Sequence, residues 1–473
     1  MSLTARNVLP DPPPKIVSHR QIADLWGSAI SFAKIRIRLR SRNYQLHYEL
    51  LKITGRTAAG SDRAGYYTYS GMSPLRFRPC LVMCSVVGLC LLVSFRAPLA
   101  EAQGQKRAPS FAALSAKADA ARDADRLDEA ATLYRRALAM KSTWAEGWWS
   151  LGTIEYDRSA YREAAHAFEK LVALQPKSGT ARVMLGLSQF ELGLEDAALE
   201  SLQEGRRLGV STDAQFREVM LYHEGVLLQR KGRFEAAQEI LGQMCRQTPY
   251  PAEVNLAMGA VALRVGDRKL PAAGTADYQV MKKSGEATCL AAQKKYDEGR
   301  QQFDALLAGN PQYPNLHYAY GKFLLDANDN DAAVGQFQAE INNNPHDAIS
   351  RLRIASAKYR IDSAAGLPYA EEAVKLDPSL PLGHYLLGLL LLDTDDYLHA
   401  ISELEMAQKS FSDEPKIYFA LASAYSRAGR RDDAARARGT FVRLNKEQES
   451  RPATSPSSEF ALPAESSSTP PKP

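Results

Sequence analysis

The sequence predicts an all-α fold: an α-solenoid of stacked helix-turn-helix repeats with a disordered N-terminal extension and a disordered C-terminal tail. Three observations carry this. Apolar residues recur at helical spacing through residues 103–446, the spacing repeats with the same internal offsets, and the composition changes at both ends of that block.

The first element, residues 1–71, is basic, with 11 Lys/Arg against 4 Asp/Glu. Its stretch Lys34 to Arg42 (KIRIRLRSR) alternates basic and apolar residues as an amphipathic strand would, and VLPDPPPK is proline-rich. The expectation is a disordered extension, or a translated upstream region if synthesis starts at Met72. A nucleic-acid-binding or membrane-surface patch is the sharper alternative.

The second element, residues 72–102, holds the apolar run Pro79 to Phe95, bounded by Arg76, Arg78 and Arg96. Such a run is shorter than the roughly 20 residues a helix needs to cross a bilayer core. Read from Met72 it offers a basic start, an apolar centre, Pro98, and small residues at Ala100 and Ala102, which fit the A-x-A pattern of peptidase cleavage. The segment resembles a bacterial Sec signal peptide cleaved after Ala102, or, uncleaved, a signal anchor. Lipidation is disfavoured because Leu89 precedes Cys90. The location expected is the periplasm or cell envelope, alternatively a single pass of the inner membrane with a cytoplasmic basic segment. Contact with membrane is then confined to residues 79–95 of an uncleaved chain.

Dividing the chain at Ala102 changes the meaning of its charge. The whole carries +5, but residues 1–71 hold +7 and residues 72–102 a further +2, so residues 103–473 stand at −4. That removes the electrostatic case for nucleic-acid binding. Cys80, Cys84 and Cys90 leave with the apolar run. Cys245 and Cys289 remain, too few for a disulfide framework. Each sits in a helical pattern where a cysteine acts as a small apolar residue, although an oxidising compartment would allow them to pair.

The third element, residues 103–446, is repetitive. In Trp144 to Pro176, residues Trp148, Leu151, Gly152 and Glu155 or Tyr156 share one helix face, and Ala164, Phe168 and Leu171 form the inner face of a second helix that Pro176 ends. Gly321, Ala333, Phe337 and Pro345 repeat the offsets of Gly152, Ala164, Phe168 and Pro176. Further units carry Gly186 with Ala198, Gly225 with Ala237, Gly388 with Ala400, and Ala422 with Ala434. An insertion near 264–280 interrupts one unit as a Gly/Pro-containing loop, Asp362 to Asp377 is shortened and lacks the aromatic, and Ala118 marks an atypical first unit. The last element, residues 447–473, is rich in Pro, Ser and Thr and cannot build a core.

This pattern resembles the tetratricopeptide repeat family, whose unit of about 34 residues places Leu-Gly at its seventh and eighth positions, Ala at the twentieth and an aromatic near the twenty-fourth. About eight or nine units match. The small residues let two helices approach, Trp148 and Phe168 are expected to fill the space between neighbouring pairs, and stacking is obligatory because one unit buries too little alone. The resemblance implies a concave ligand groove lined by the first helix of each unit. Carried over by position, it gives Trp149, Tyr156, Phe190, Tyr318, Lys322, Tyr359, Arg360, Tyr385, Phe419 and Arg427, aromatics and cations suited to an extended peptide. The carboxylate-clamping pattern of some family members is visible only in Asn315 and Lys322.

No motif for chemistry stands out. Phosphate-loop, dinucleotide and nucleophile-elbow patterns are absent, and His223-Glu224 begins H-E-x-x-H with Leu227 where the second histidine belongs. His166, His317, His384 and His399 are scattered over different units, and Asp395-Asp396 and Asp432-Asp433 are placed in turns as helix caps. The expectation is a non-enzymatic scaffold that binds a protein or peptide partner, with no cofactor, no metal and no nucleic acid; an accessory subunit that positions an envelope enzyme is the alternative.

Overall fold

The structure, a computed structural model, describes residues 109–210, 214–247, 249–266, 270–359 and 361–450, with the backbone of 37–39 and 46–48. The presumed signal and residues 451–473 of the presumed tail lie outside the described residues; residues 447–449, expected to belong to the disordered tail, instead continue the last helix, because Arg443 and Asn445 pair with Glu447 and Glu449 one turn on. Within Lys34 to Arg42, the expected strand is Ile37–Leu39 (β1), paired antiparallel with Leu46–Tyr48 (β2) in the register Ile37 to Tyr48.

The solenoid contains nineteen helices among the described residues. Four pairs lead: α1 (Phe111–Asp123) with α2 (Leu127–Met140), α3 (Ala145–Asp157) with α4 (Tyr161–Leu174), α5 (Gly179–Glu191) with α6 (Glu195–Leu208), and α7 (Ala214–Arg230) with α8 (Phe234–Cys245). Then come α9 (Glu253–Ala262), α10 (Ala276–Ala292) and α11 (Tyr296–Gly309). Four pairs close the array: α12 (Leu316–Asp326) with α13 (Asn330–Asn343), α14 (Ala348–Lys358) with α15 (Ser363–Leu376), α16 (Pro381–Asp393) with α17 (Tyr397–Ser410), and α18 (Pro415–Arg427) with α19 (Arg431–Glu449).

The backbone marks the repeat independently of side chains. After the first helix of a unit the chain turns through one left-handed residue: Asp125, Ser159, Gly193, Gly232, Arg264, Lys294, Asn328, Asp395 and Gly429. The first three are 34 residues apart, as are Lys294 from Asn328 and Asp395 from Gly429. The turn between α14 and α15 has no such residue among those described. Arg264 sits at the turn position after α9, yet the next helix begins only after Thr275, the N-cap of α10. The expected loop over 264–280 is therefore shorter than the spacing suggested. Thr275 accepts a hydrogen bond from Tyr278 N–H at 3.2 Å and starts the helix at Ala276.

Inside a unit the small residue of the first helix lies under a large residue sixteen positions on. A Cβ on Gly152 would stand 2.8 Å from the Phe168 ring, on Gly321 2.7 Å from Phe337, and on Gly225 or Gly388 2.6 Å from Leu241 or Leu404. Phe168 and Phe337 are fully buried there. Phe168 thus packs within its own unit against Gly152, where the sequence reading had placed it between neighbouring pairs. Ala164, Ala198, Ala237, Ala333, Ala400 and Ala434 are all buried, while Pro176 and Pro345 lie exposed after the second helices. A second recurring device joins units. Trp148, His317, His384 and Tyr418 each donate a side-chain hydrogen bond to the carbonyl six residues back, of Ser142, Pro311, Pro378 and Ser412, at 2.7–3.1 Å.

Two further expectations change. Cys245 and Cys289 form a disulfide between α8 and α10, with Cα atoms 5.3 Å apart. Asp432 and Asp433 lie in the first turn of α19 and not in the preceding turn; Asp433 pairs with Arg430 and Arg436. Asp396 does cap α17, accepting from His399 N–H at 3.3 Å. No helix among the described residues is long and apolar enough to cross a membrane.

Candidate peptide-binding groove and central cleft

The side chains expected to line the groove divide by burial. Trp149, Tyr318 and Tyr385 are 8, 4 and 4 % exposed, so they hold the array together instead of presenting a contact face. For Trp149 and Tyr318 the cause is a ring pair inside the unit: Trp149 meets Phe168 edge-on at 5.9 Å and Tyr318 meets Phe337 at 5.7 Å.

The others reach solvent to differing degrees. Tyr156 is half-buried beside Tyr161, and burial, reinforced by the Glu191 carboxylate, pushes its phenol well above the ordinary tyrosine range. Phe190 stands edge-on to His223 at 4.7 Å with the Arg230 guanidinium 5.2 Å above its ring. Tyr359 is half-buried at the end of α14. Phe419 is 49 % exposed. Arg427 lies over the Tyr397 ring at 5.8 Å and 3.8 Å from Asp395. Arg360 lies outside the described residues. These side chains are strung along the array from α3 to α18 and do not converge on one point.

His223 and Glu224 are occupied structurally. His223 Nδ1–H donates to the Val219 carbonyl at 2.7 Å. Glu224 is fully buried and paired with Arg206 of α6 at 2.9 Å, and burial outweighs that pairing and raises its carboxyl above the usual range. Asn315 is equally committed. Its backbone is left-handed, its N–H donates to Glu340 at 3.0 Å, and its side-chain amide donates to the Leu263 carbonyl at 2.9 Å. Lys322 pairs with Asp326 at 2.8 Å. The Asn315 and Lys322 pattern is therefore spent on holding α12.

Lys322 and Tyr318 do meet residues that sequence reasoning passed over. Between α8, α9 and α12 lies a narrow cleft with room for about one water molecule, lined in part by Glu235, Gln238, Arg264 and Lys322. Glu235 Oε1 accepts from Arg264 at 3.0 Å and from Arg353 of α14 at 2.7 Å. Both guanidinium groups also donate to the Tyr318 hydroxyl, at 3.2–3.3 Å. Gln238 reaches Asp326 at 3.3 Å. Burial works against the charge on Glu235, but Arg353 and Arg264 together hold its carboxyl below the usual glutamate range. Arg264 was detectable in the sequence: the other left-handed turn residues are Gly, Asp, Ser, Asn or Lys. The partnership of Glu235 with Arg353, 118 residues apart, was not.

The tetratricopeptide repeat model matches residues 150–209 and 285–348. No curated protein matches. Among solved structures the fold is similar to a MamA crystal structure, at 18 % identity over 34 % of this chain and 96 % of that one, with a TM-score of 0.33. It is also similar to residues 41 to the end of MamA from Desulfovibrio magneticus RS-1, at 19 % identity over 36 and 98 %, TM-score 0.34. Yeast Tom70 aligns at 16 % identity over 72 % of this chain and 69 % of its own, TM-score 0.29.

Proposed function

We propose that this chain is a non-enzymatic scaffold, exported to the periplasm or cell envelope, that captures an extended segment of a protein partner on the first helices of its tetratricopeptide repeats. The observation that carries the reading is the repeat array itself. Its small-residue positions and rings are consumed in packing, while Tyr156, Phe190, Tyr359, Phe419 and Arg427 remain as a row of partly exposed aromatic and cationic side chains. Such rows give rigid contact area and charge pairing to an extended peptide. Export is supported by the signal-like pattern of residues 72–102 and by the Cys245–Cys289 disulfide, a bond favoured in oxidising compartments.

A photo-crosslinking side chain placed at Phe419 or Tyr156 should trap one defined partner in cells, and the same group at exposed Gly335 of α13 should not. Equal, diffuse labelling from all three positions would defeat the groove reading.

A further inference from the structure

The last helix among the described residues departs from what the end of a repeat array requires. Terminal units keep a polar outer face because no neighbour covers them. The exposed side of α19 is mostly charged or polar, yet Phe441 is half-buried and Val442 is 63 % exposed. The Phe419 ring of α18, 49 % exposed, stands 5.5 Å from that of Phe441 and extends the apolar patch. Arg438 and Lys446 lie one turn before and one turn after Val442, so Phe441, Arg438, Val442 and Lys446 share one flank of the helix. Both cations are exposed, and among the described residues neither has an ion-pair partner, whereas Arg430, Arg436 and Arg443 each have one.

The sequence beyond Ser450 holds a segment of matching character. Residues 451–473 contain two large apolar side chains, Phe460 and Leu462, and two acids, Glu459 and Glu465, all within EFALPAE. Phe460 is ten residues past Ser450, a length of chain that extends to about 33–36 Å. Phe441 lies nine residues before Ser450, about 14 Å back along α19. The segment therefore reaches the flank with slack, and so short a tether holds it there at a roughly millimolar local concentration.

We propose that residues 459–465 fold back onto the end of the array, with Phe460 and Leu462 on Phe419, Phe441 and Val442, and with Glu459 and Glu465 beside Arg438 and Lys446. Charge favours this occupant over a second copy of the chain. A two-fold contact would set the same flank against itself and bring Arg438 and Lys446 toward their own counterparts, whereas the segment brings acids. The docking is independent of the groove-binding reading, but its consequence rests on that reading. Phe419 is also a groove side chain, so the folded-back segment gates the end of the groove and the partner has to displace it.

A photo-crosslinking side chain placed at Val442 of the purified full-length protein, at low micromolar concentration, should join α19 to residues 459–465 of the same chain and leave it monomeric. The same group at Gly335 should not. Phe460→Ser combined with Leu462→Ser should cut the yield at least about tenfold, because both apolar side chains leave the contact. Arg438→Glu with Lys446→Glu should cut it severalfold, and adding Glu459→Lys with Glu465→Lys should restore it. A crosslink between two chains would assign the flank to a second copy and overturn the proposal; so would equal yields from Val442 and Gly335, or a yield that survives the Phe460 and Leu462 substitutions. In cells, partner trapping from Phe419 should rise severalfold in the Phe460→Ser, Leu462→Ser protein. Unchanged trapping overturns the gating, and no trapping in either protein removes the groove reading while the Val442 crosslink still decides the docking.

Discussion

The tightest structural claim is that the glycine at the eighth position of a unit is required by the ring above it, and one substitution made at two places tests it. Gly321→Ala puts a Cβ 2.7, 2.9 and 3.0 Å from three atoms of the Phe337 ring. Phe337 is fully buried and bounded by Tyr318 at 5.7 Å, so the ring has little room to retreat. Alanine in a helix interior gains about 1 kcal/mol over glycine, and overpacking of this kind costs about 1–3 kcal/mol. The net is a loss of up to about 2 kcal/mol. Gly335→Ala, one helix further on in α13, meets nothing within 4 Å and should gain most of the propensity term. The two variants should differ by about 1–3 kcal/mol in opposite directions about the parent. Urea unfolding followed by circular dichroism reads the sign, and hydrogen exchange over α12 and α13 locates it, since repeat arrays need not unfold in one step. Phe337→Leu combined with Gly321→Ala should recover part of the loss. A Gly321→Ala protein as stable as Gly335→Ala would refute the packing argument.

Three further outcomes follow from the same structure. Reducing the Cys245–Cys289 bond, or replacing both residues with serine, releases a closure spanning 44 residues; the chain-entropy relation puts the loss near 4 kcal/mol, and an unchanged midpoint in reductant would show that the bond contributes nothing. Because the Glu235 carboxyl is held below its ordinary range, its contribution to stability is fully present above the unfolded value and is lost as pH falls through the lower folded value. Glu235→Gln should accordingly flatten the acid limb of the stability profile, and an identical limb would contradict the assignment. Mass spectrometry of the mature chain should find Gln103 at its amino terminus; a chain recovered from cytosol with residues upstream of Met72 would end the export reading.

The legible part of this fold was local. Gly152 with Ala164 and Phe168, or Gly321 with Ala333 and Phe337, are separated by fixed short distances, so one helix-turn-helix unit specifies itself and the period does the rest. The groove was less legible because position alone does not distinguish a ring that faces a ligand from one that faces its own unit. Trp149 and Tyr318 stand at groove positions, yet each is drawn onto the aromatic nineteen residues ahead, Phe168 and Phe337. The loop over 264–280 was overestimated because Pro271 and Gly274 dominated the reading, while the cap at Thr275 gave the counter-signal. The Glu235, Arg264 and Arg353 cluster depends on the path of the whole array and has no local signature beyond the arginine in a turn.

These unexpected features gather at one place, and the missing helix explains why. Every other first helix among the described residues is followed at once by a second helix, but α9 has none directly after Arg264. α10 takes its place. Its first half lies on α9 so closely that a Cβ on Gly259 would stand 1.8 Å from the Met281 carbonyl oxygen, and one on Gly285 1.8 Å from that of Asn255. Its second half carries Ala287 and the Lys294 turn into α11, so one helix serves two units. A helix so used cannot satisfy both neighbours by the regular ring-on-glycine contact. The disulfide to α8, the Gln293 amide donating to the Cys245 carbonyl at 3.0 Å, and the arginine cluster supply fixed links at the same junction. Loosening any of them should therefore alter the geometry between α8 and α14 before it alters either end of the solenoid, and hydrogen exchange in reductant should rise first in α8 to α10. Exchange that rises first in α1 to α4 or in α16 to α19 would show that the junction is not the weak point of the array.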